Sequence, residues 1–222
     1  MKAGVLGIVD GSFTAVDSVT ETITRDDTEL ERCLEIDRVF STPSGEMAFA
    51  GRAAAEALVD QTERHIEDGE ITVTESAGTV TRYTEFVGIP GEFVAVDSGS
   101  GTFAFDLIGA ETETTIERAT LDLDGFFASH DDARAWKTGF YGSGDNAVNG
   151  IFHGEDLRTT HDFDDMLDES SLNQVGLQYA YDGDEVKMTA ARSGYVEVYQ
   201  PTAFDSGHYL EYVHDEMLSH VD

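Results

Sequence analysis

Lysine is almost missing from this sequence. Only Lys2, Lys137 and Lys187 occur, and with the arginines they bring the basic total to 13 against 45 acidic residues, a net charge of -32 over 222 residues. A chain so short of cations has no ordinary basic patch for phosphate backbones, although that test loses force where salt is very high. Cys33 is the single cysteine, which excludes an internal disulfide and any CxxC zinc site. Its apolar surroundings, Leu30 to Ile36, suit a small buried hydrophobe better than a reactive thiol. There are only 3 prolines, so no proline-rich linker divides the chain. No apolar run approaches the ~20 residues of a membrane-spanning helix. The N-terminal run in MKAGVLGIVDG is too short for a signal peptide, so a cytoplasmic protein without membrane contact is expected. Nucleophile-elbow, Walker and dinucleotide-binding glycine patterns are all lacking.

What is present argues for a folded chain. The 13 Phe and 8 Tyr, with many Val and Ile in patterned segments, exclude an acidic disordered polymer. The acids run from Asp10 to Asp222 and form no tail. In dilute buffer such a charge repels itself and loosens the compact state. At molar salt the Debye length falls to about 3 Å and that cost fades. An all-acidic surface that avoids lysine resembles the cytosolic proteins of haloarchaea.

The patterning predicts an α+β fold, mostly antiparallel sheet with a few flanking helices. Ala3–Val9, 12–24 and 30–40 read as strands, with Val19, Glu21 and Ile23 alternating in the second. Ala53, Ala54, Ala57, Leu58 and Ile66 form a helical stripe, so a helix is expected over 51–68. Strands follow over 71–76, 80–87, 92–97, 102–108 and 114–123, with 93–96 and 102–105 forming a hairpin around Ser98–Gly101. A short helix is expected from Ser129 to Lys137, a strand over 148–152 and another short helix over 162–169. A three-strand meander covers 172–200, and an amphipathic C-terminal helix runs from His208 to His220 with Leu210, Val213 and Met217 inward. The glycine-rich stretch from 139 to 154 is the candidate boundary between an N-terminal α+β lobe, 1–138, and a C-terminal meander-plus-helix lobe, 139–222; one continuous domain is the alternative.

Four segments invite a chemical reading. Asp97-Ser98-Gly99-Ser100-Gly101 resembles the first phosphate loop of actin-like ATPases, where glycines let backbone amides approach a phosphate, and it equally suits a plain tight turn. Thr120 to Phe127 resembles the sliding-clamp (PCNA) binding box, with Leu123 and the Phe126-Phe127 pair at the box spacing and Thr120 where the family has Gln. That resemblance implies clamp contact through Leu123, Phe126 and Phe127. The same residues also suit a core position at a strand-to-helix junction. The order of elements from Val94–Asp97 and Phe103–Asp106, through Gly154–Leu157, to Leu177, Tyr179, Tyr181, Val186, Met188 and Gly194–Val196 is similar to the RdgC-type recombination-associated DNA-binding proteins. It implies DNA as a partner and assigns no functional residue. Finally, His153, Glu155, His161 and Asp165 lie close in sequence, and His with carboxylates can hold a divalent metal such as zinc or manganese; in so acidic a chain, solvated surface explains the same neighbours. A cluster of Trp136, Phe140 and Tyr141 beside the glycine-rich stretch suits packing or a pocket wall.

The expectation is a non-catalytic binding or accessory protein of a haloarchaeon or its virus, leaning to DNA replication or recombination with the clamp or DNA as partner. A metal-dependent hydrolase and a self-assembling structural protein are the alternatives.

Overall fold

A computed structural model describes residues 1–142, 149–159 and 170–222. Their strands are β1 (Ala3–Asp10), β2 (Val19–Arg25), β3 (Thr28–Ser41), β4 (Met47–Glu67), β5 (Glu70–Ile89), β6 (Phe93–Val96), β7 (Thr115–Arg118), β8 (Arg134–Gly142), β9 (Asn149–His153), β10 (Ser170–Tyr181), β11 (Asp184–Ala191) and β12 (Tyr195–Gln200). The helices are α1 (Phe103–Thr112), α2 (Leu123–Ser129) and α3 (Ser206–Glu216). All the strands belong to one sheet in the order β2-β3-β4-β5-β6-β1-β12-β11-β10-β8-β9, with β7 paired to the end of β1. Every pairing is antiparallel, as the α+β reading expects. Among the described residues no helix is long and apolar enough to cross a membrane.

The sheet is covered on both faces near its centre, and the strand period of two sorts the side chains. Leu6, Ala95, Val87 and Ala50 face α2 and α3 in the larger core. Val5, Val94, Val96, Phe49 and Phe86 face α1 in the smaller one. Gly7 permits α1 to approach, because a Cβ there would stand 2.7 Å from the Phe105 ring. The sheet runs unbroken past residue 139, since β8 spans that position and β1 pairs with both β6 and β12.

Several expected elements take another form: the strands expected at 71–76 and 80–87 are one strand, β5, and that expected over 114–123 shortens to β7. The helix over 51–68 is instead most of β4, laddered to β3 up to Ala55 and to β5 along its length. Alanine's helix propensity is worth only tenths of a kcal/mol per residue, and two neighbouring strands outweigh it. Gly51, Ala53 and Ala55 are small because the site is tight: a Cβ on Gly51 would collide with the Glu35 carbonyl and the Phe86 ring. The expected 93–105 hairpin keeps its first strand only. Residues Ala104, Phe105, Leu107 and Ile108 are buried at helical spacing, so the chain turns into α1. The helix expected over 129–137 is displaced by α2, which the Asp122 carboxylate caps by accepting from the Gly125 amide at 3.0 Å, and by β8. The meander, the strand at 149–153 and the C-terminal helix fall where expected. The helix expected over 162–169 lies outside the described residues.

Candidate functional site

Strands β4 and β5 are far longer than the sheet needs. Pairing of β4 with β3 ends at Ala55, and from Glu56↔Thr81 to Glu67↔Glu70 the two strands pair only with each other. Twelve residue pairs at roughly 3.3 Å each make a ribbon about 40 Å long. All residues from 60 to 77 are exposed, so neither face is covered. Directly paired residues share a face, and the register therefore divides the tip. Ile66 opposite Ile71, and Arg64 opposite Val73, lie on one face. Glu63, His65, Glu67 and Glu70 lie on the other, with Glu63 accepting from or facing His65 at 3.2 Å. Ile66 is 80% exposed, Ile71 75% and Val73 56%. The ribbon thus carries an apolar end on one face and acids on the other.

A second set of side chains converges where two turns meet α3. Glu46 closes the β3–β4 turn, Glu92 lies between β5 and β6, and His214 is in the last turn of α3. One ligand-type atom from each falls within 4.8 Å of the others, all three residues being half-buried. His214 Nδ1 lies 3.0 Å from an Asp215 carboxylate oxygen, and its Nε2 lies 3.4 Å from Glu92 Oε2. The Asp215 contact lifts the imidazole above its ordinary range; partial burial opposes this, and the Glu92 and Glu46 charges reinforce it.

An open groove of about 840 Å³ lies at the other side of the sheet, lined by residues that include Phe140, Tyr141, Ile151, Asn173 and Arg192. Its described lining holds no His, Cys, Lys, Asp or Glu. The Arg192 guanidinium is already held by Asp124 at 2.8 Å and the Leu172 carbonyl at 3.0 Å. Phe140 and Tyr141 do line a pocket wall, whereas Trp136 packs on Tyr199 and under Lys187.

The residues singled out from sequence behave differently. Leu123, Phe126 and Phe127 are 0%, 0% and 7% exposed, one turn of α2 pressed into the main core. A clamp box works by inserting those side chains into a partner, so the folded chain does not present one here. His153 and Glu155 are exposed; His153 tilts against Trp136 at 6.3 Å. His161 and Asp165 lie outside the described residues, so only His153 and Glu155 of that set are placed. The phosphate-like loop Asp97–Gly101 is tied down locally, with Asp97 accepting from the Thr84 hydroxyl at 2.6 Å. Neither the ribbon nor the Glu46, Glu92 and His214 cluster was singled out from sequence. The alternation Arg64, Ile66 and Ile71, Val73 around Asp68-Gly69 was the available signal for the ribbon; nothing local signals residues 46, 92 and 214 as neighbours. No family model matches the chain, and no curated protein matches it.

Proposed function

We propose that this chain is a non-catalytic binding protein whose contact element is the β4–β5 ribbon. The observation that carries this reading is the uncovered ribbon tip, where Ile66, Ile71 and Val73 gather on one face of an otherwise acidic arm. A free two-stranded ribbon is marginal in water, and exposed apolar side chains grouped on one face mark interaction surfaces. Charge selects the partner's chemistry. The segment from 56 to 82 carries Glu56, Asp60, Glu63, Glu67, Asp68, Glu70 and Glu75 against Arg64 and Arg82. At molar salt, screening leaves this charge only contact-range influence, over which the arm's carboxylates disfavour a phosphate backbone. A protein surface with an apolar pocket rimmed by basic side chains complements it. A role beside the replication or recombination machinery, with the sliding clamp or a DNA-bound protein as the target, enters this reading only through such a protein contact.

Shortening the ribbon tests it. Val59 and Gly78 are directly paired, so an Asn-Gly turn joining them in place of residues 60–77 closes the hairpin. Full-length and shortened chains are immobilised and exposed to lysate of the source organism in molar KCl, with and without nuclease. A protein retained by the full chain, insensitive to nuclease and absent from the shortened one, supports the reading once the two purified components re-form the complex. Equal retention by both chains, recovery of nucleic acid alone, or association only with further copies of the chain overturns it.

A further inference from the structure

Glu92 Oε2 has no hydrogen-bond partner although the atom itself is shielded from solvent. It points toward His214 Nε2 at 3.4 Å without the alignment of a hydrogen bond. The other ring nitrogen decides what Nε2 can be. Nδ1 faces a carboxylate oxygen of Asp215 at 3.0 Å, which only accepts, so Nδ1 carries the proton. In the neutral ring Nε2 is then a lone pair. A nitrogen lone pair, an unpartnered carboxylate oxygen and the Glu46 carboxylate therefore converge on one point. Such an arrangement calls for a cation.

We propose that Glu46, Glu92 and His214 form a site for a divalent metal ion of the zinc class, with Asp215 orienting the imidazole. The site is independent of the ribbon. Zinc holds imidazole nitrogen and carboxylate oxygen at about 2.0–2.2 Å, which for tetrahedral angles separates neighbouring ligand atoms by about 3.3 Å. The 3.4 Å between His214 Nε2 and Glu92 Oε2 meets that spacing, and the Glu46 oxygen, within 4.8 Å, closes by a side-chain adjustment. A carboxylate behind a ligating histidine is the usual outer support of such sites. The supports are firm. The Glu46 amide donates to the Thr42 hydroxyl at 3.1 Å and its carbonyl accepts from the Thr42 amide at 2.8 Å. The Glu92 amide donates to the Ile89 carbonyl at 3.2 Å, and its carbonyl accepts from the Val9 amide at 2.9 Å. His214 sits at the negative end of α3, which favours a cation. Three protein ligands leave a fourth position for water. The ion would tie α3 to the β3–β4 and β5–β6 turns.

The test uses the full chain, stripped with a chelator, loaded with Zn²⁺ and desalted in molar potassium acetate so that scattered surface carboxylates are screened. Zinc is counted by elemental analysis and its affinity taken from competition with a chromogenic chelator. The expected result is one zinc per chain, an affinity at least tenfold weaker in Glu92→Gln and in His214→Gln, and a tenfold loss in Asp215→Asn. The ribbon-shortened chain should bind zinc as the full chain does. Near-ultraviolet circular dichroism confirms that each variant is folded; Glu92→Gln and Asp215→Asn are isosteric, and all three positions are half-buried or exposed. A full chain that retains no zinc, or folded Glu92→Gln and His214→Gln variants that hold it equally well, overturns the site and leaves an ion pair between protonated His214 and Glu92.

Discussion

His130 has an acceptor at each ring nitrogen: the Phe126 carbonyl lies 2.9 Å from Nδ1, and Glu216 lies 2.9 Å from Nε2. Burial alone would lower its pKa, but the bond to Glu216, the bond to the Phe126 carbonyl and the Glu216 charge outweigh burial and hold it above the ordinary imidazole range. A His whose folded pKa is raised stabilises the protein fully below the unfolded value, near 6.5. That stabilisation is lost as pH climbs through the higher folded value. Denaturation followed upward from about pH 6.5 should show this stability lost as pH passes through the raised folded value, and His130→Gln should flatten this component. Phe126, packed on the His130 ring at 4.4 Å, gives a second prediction. Phe126→Ala should cost about 3–5 kcal/mol in chemical denaturation; an exposed docking residue would cost almost nothing. The spacing of Leu123, Phe126 and Phe127 was legible, but its meaning was not. Positions i, i+3 and i+4 describe a clamp box and equally one buried helical face. Only the environment, here α3 and the β10–β12 meander, separates the two.

Among elements, α3 was the most legible, because Leu210, Val213 and Met217 recur at helical spacing and all are buried. The meander was read from its turns at Asp182-Gly183 and Ser193-Gly194, where Asp182, Gly183 and Gly194 have positive φ. β4 misled because its alanines satisfy a helical stripe as easily as a strand packed between close neighbours, and the side-chain pattern of Ala53, Ala54 and Ala57 carries no information about which strands flank it. The ribbon follows from the same strand. Its tip contributes nothing to either core, so Ile66→Thr with Ile71→Thr should change unfolding free energy by less than about 0.5 kcal/mol while abolishing partner retention. A large loss of stability from that double variant would instead place the tip's apolar face in the chain's own folding.

Over the whole molecule, we read the net charge of -32 as suited to a high-salt solvent, and the salt response tests that reading. Only 13 basic residues face 45 acidic ones, and among the described residues arginine ion pairs such as Arg52 with Glu35 at 2.7 Å and Arg134 with Glu185 at 3.0 Å are solvent-exposed. Pairs of that kind contribute only about 0–1 kcal/mol each. Net repulsion therefore sets the salt response. The melting temperature should rise as KCl goes from about 0.1 M to about 3 M, with each kcal/mol of relief appearing as roughly 2–4 °C for a chain of this size. A melting temperature insensitive to salt would contradict the reading of an acidic surface suited to high salt. Composition alone carries that expectation, which the salt series tests; the joining of residues 46, 92 and 214 was not legible, because it depends on β3–β4, β5–β6 and α3 meeting in three dimensions. The central claim, that the ribbon tip is the contact element, is tested most directly by placing a photo-crosslinking amino acid at Ile71 and, in a second chain, at Val39, an exposed apolar position on β3 that is 63% open. Irradiated in lysate at molar KCl, position 71 should yield one dominant protein adduct that position 39 does not. No adduct from position 71, or the same adducts from both positions, would contradict it.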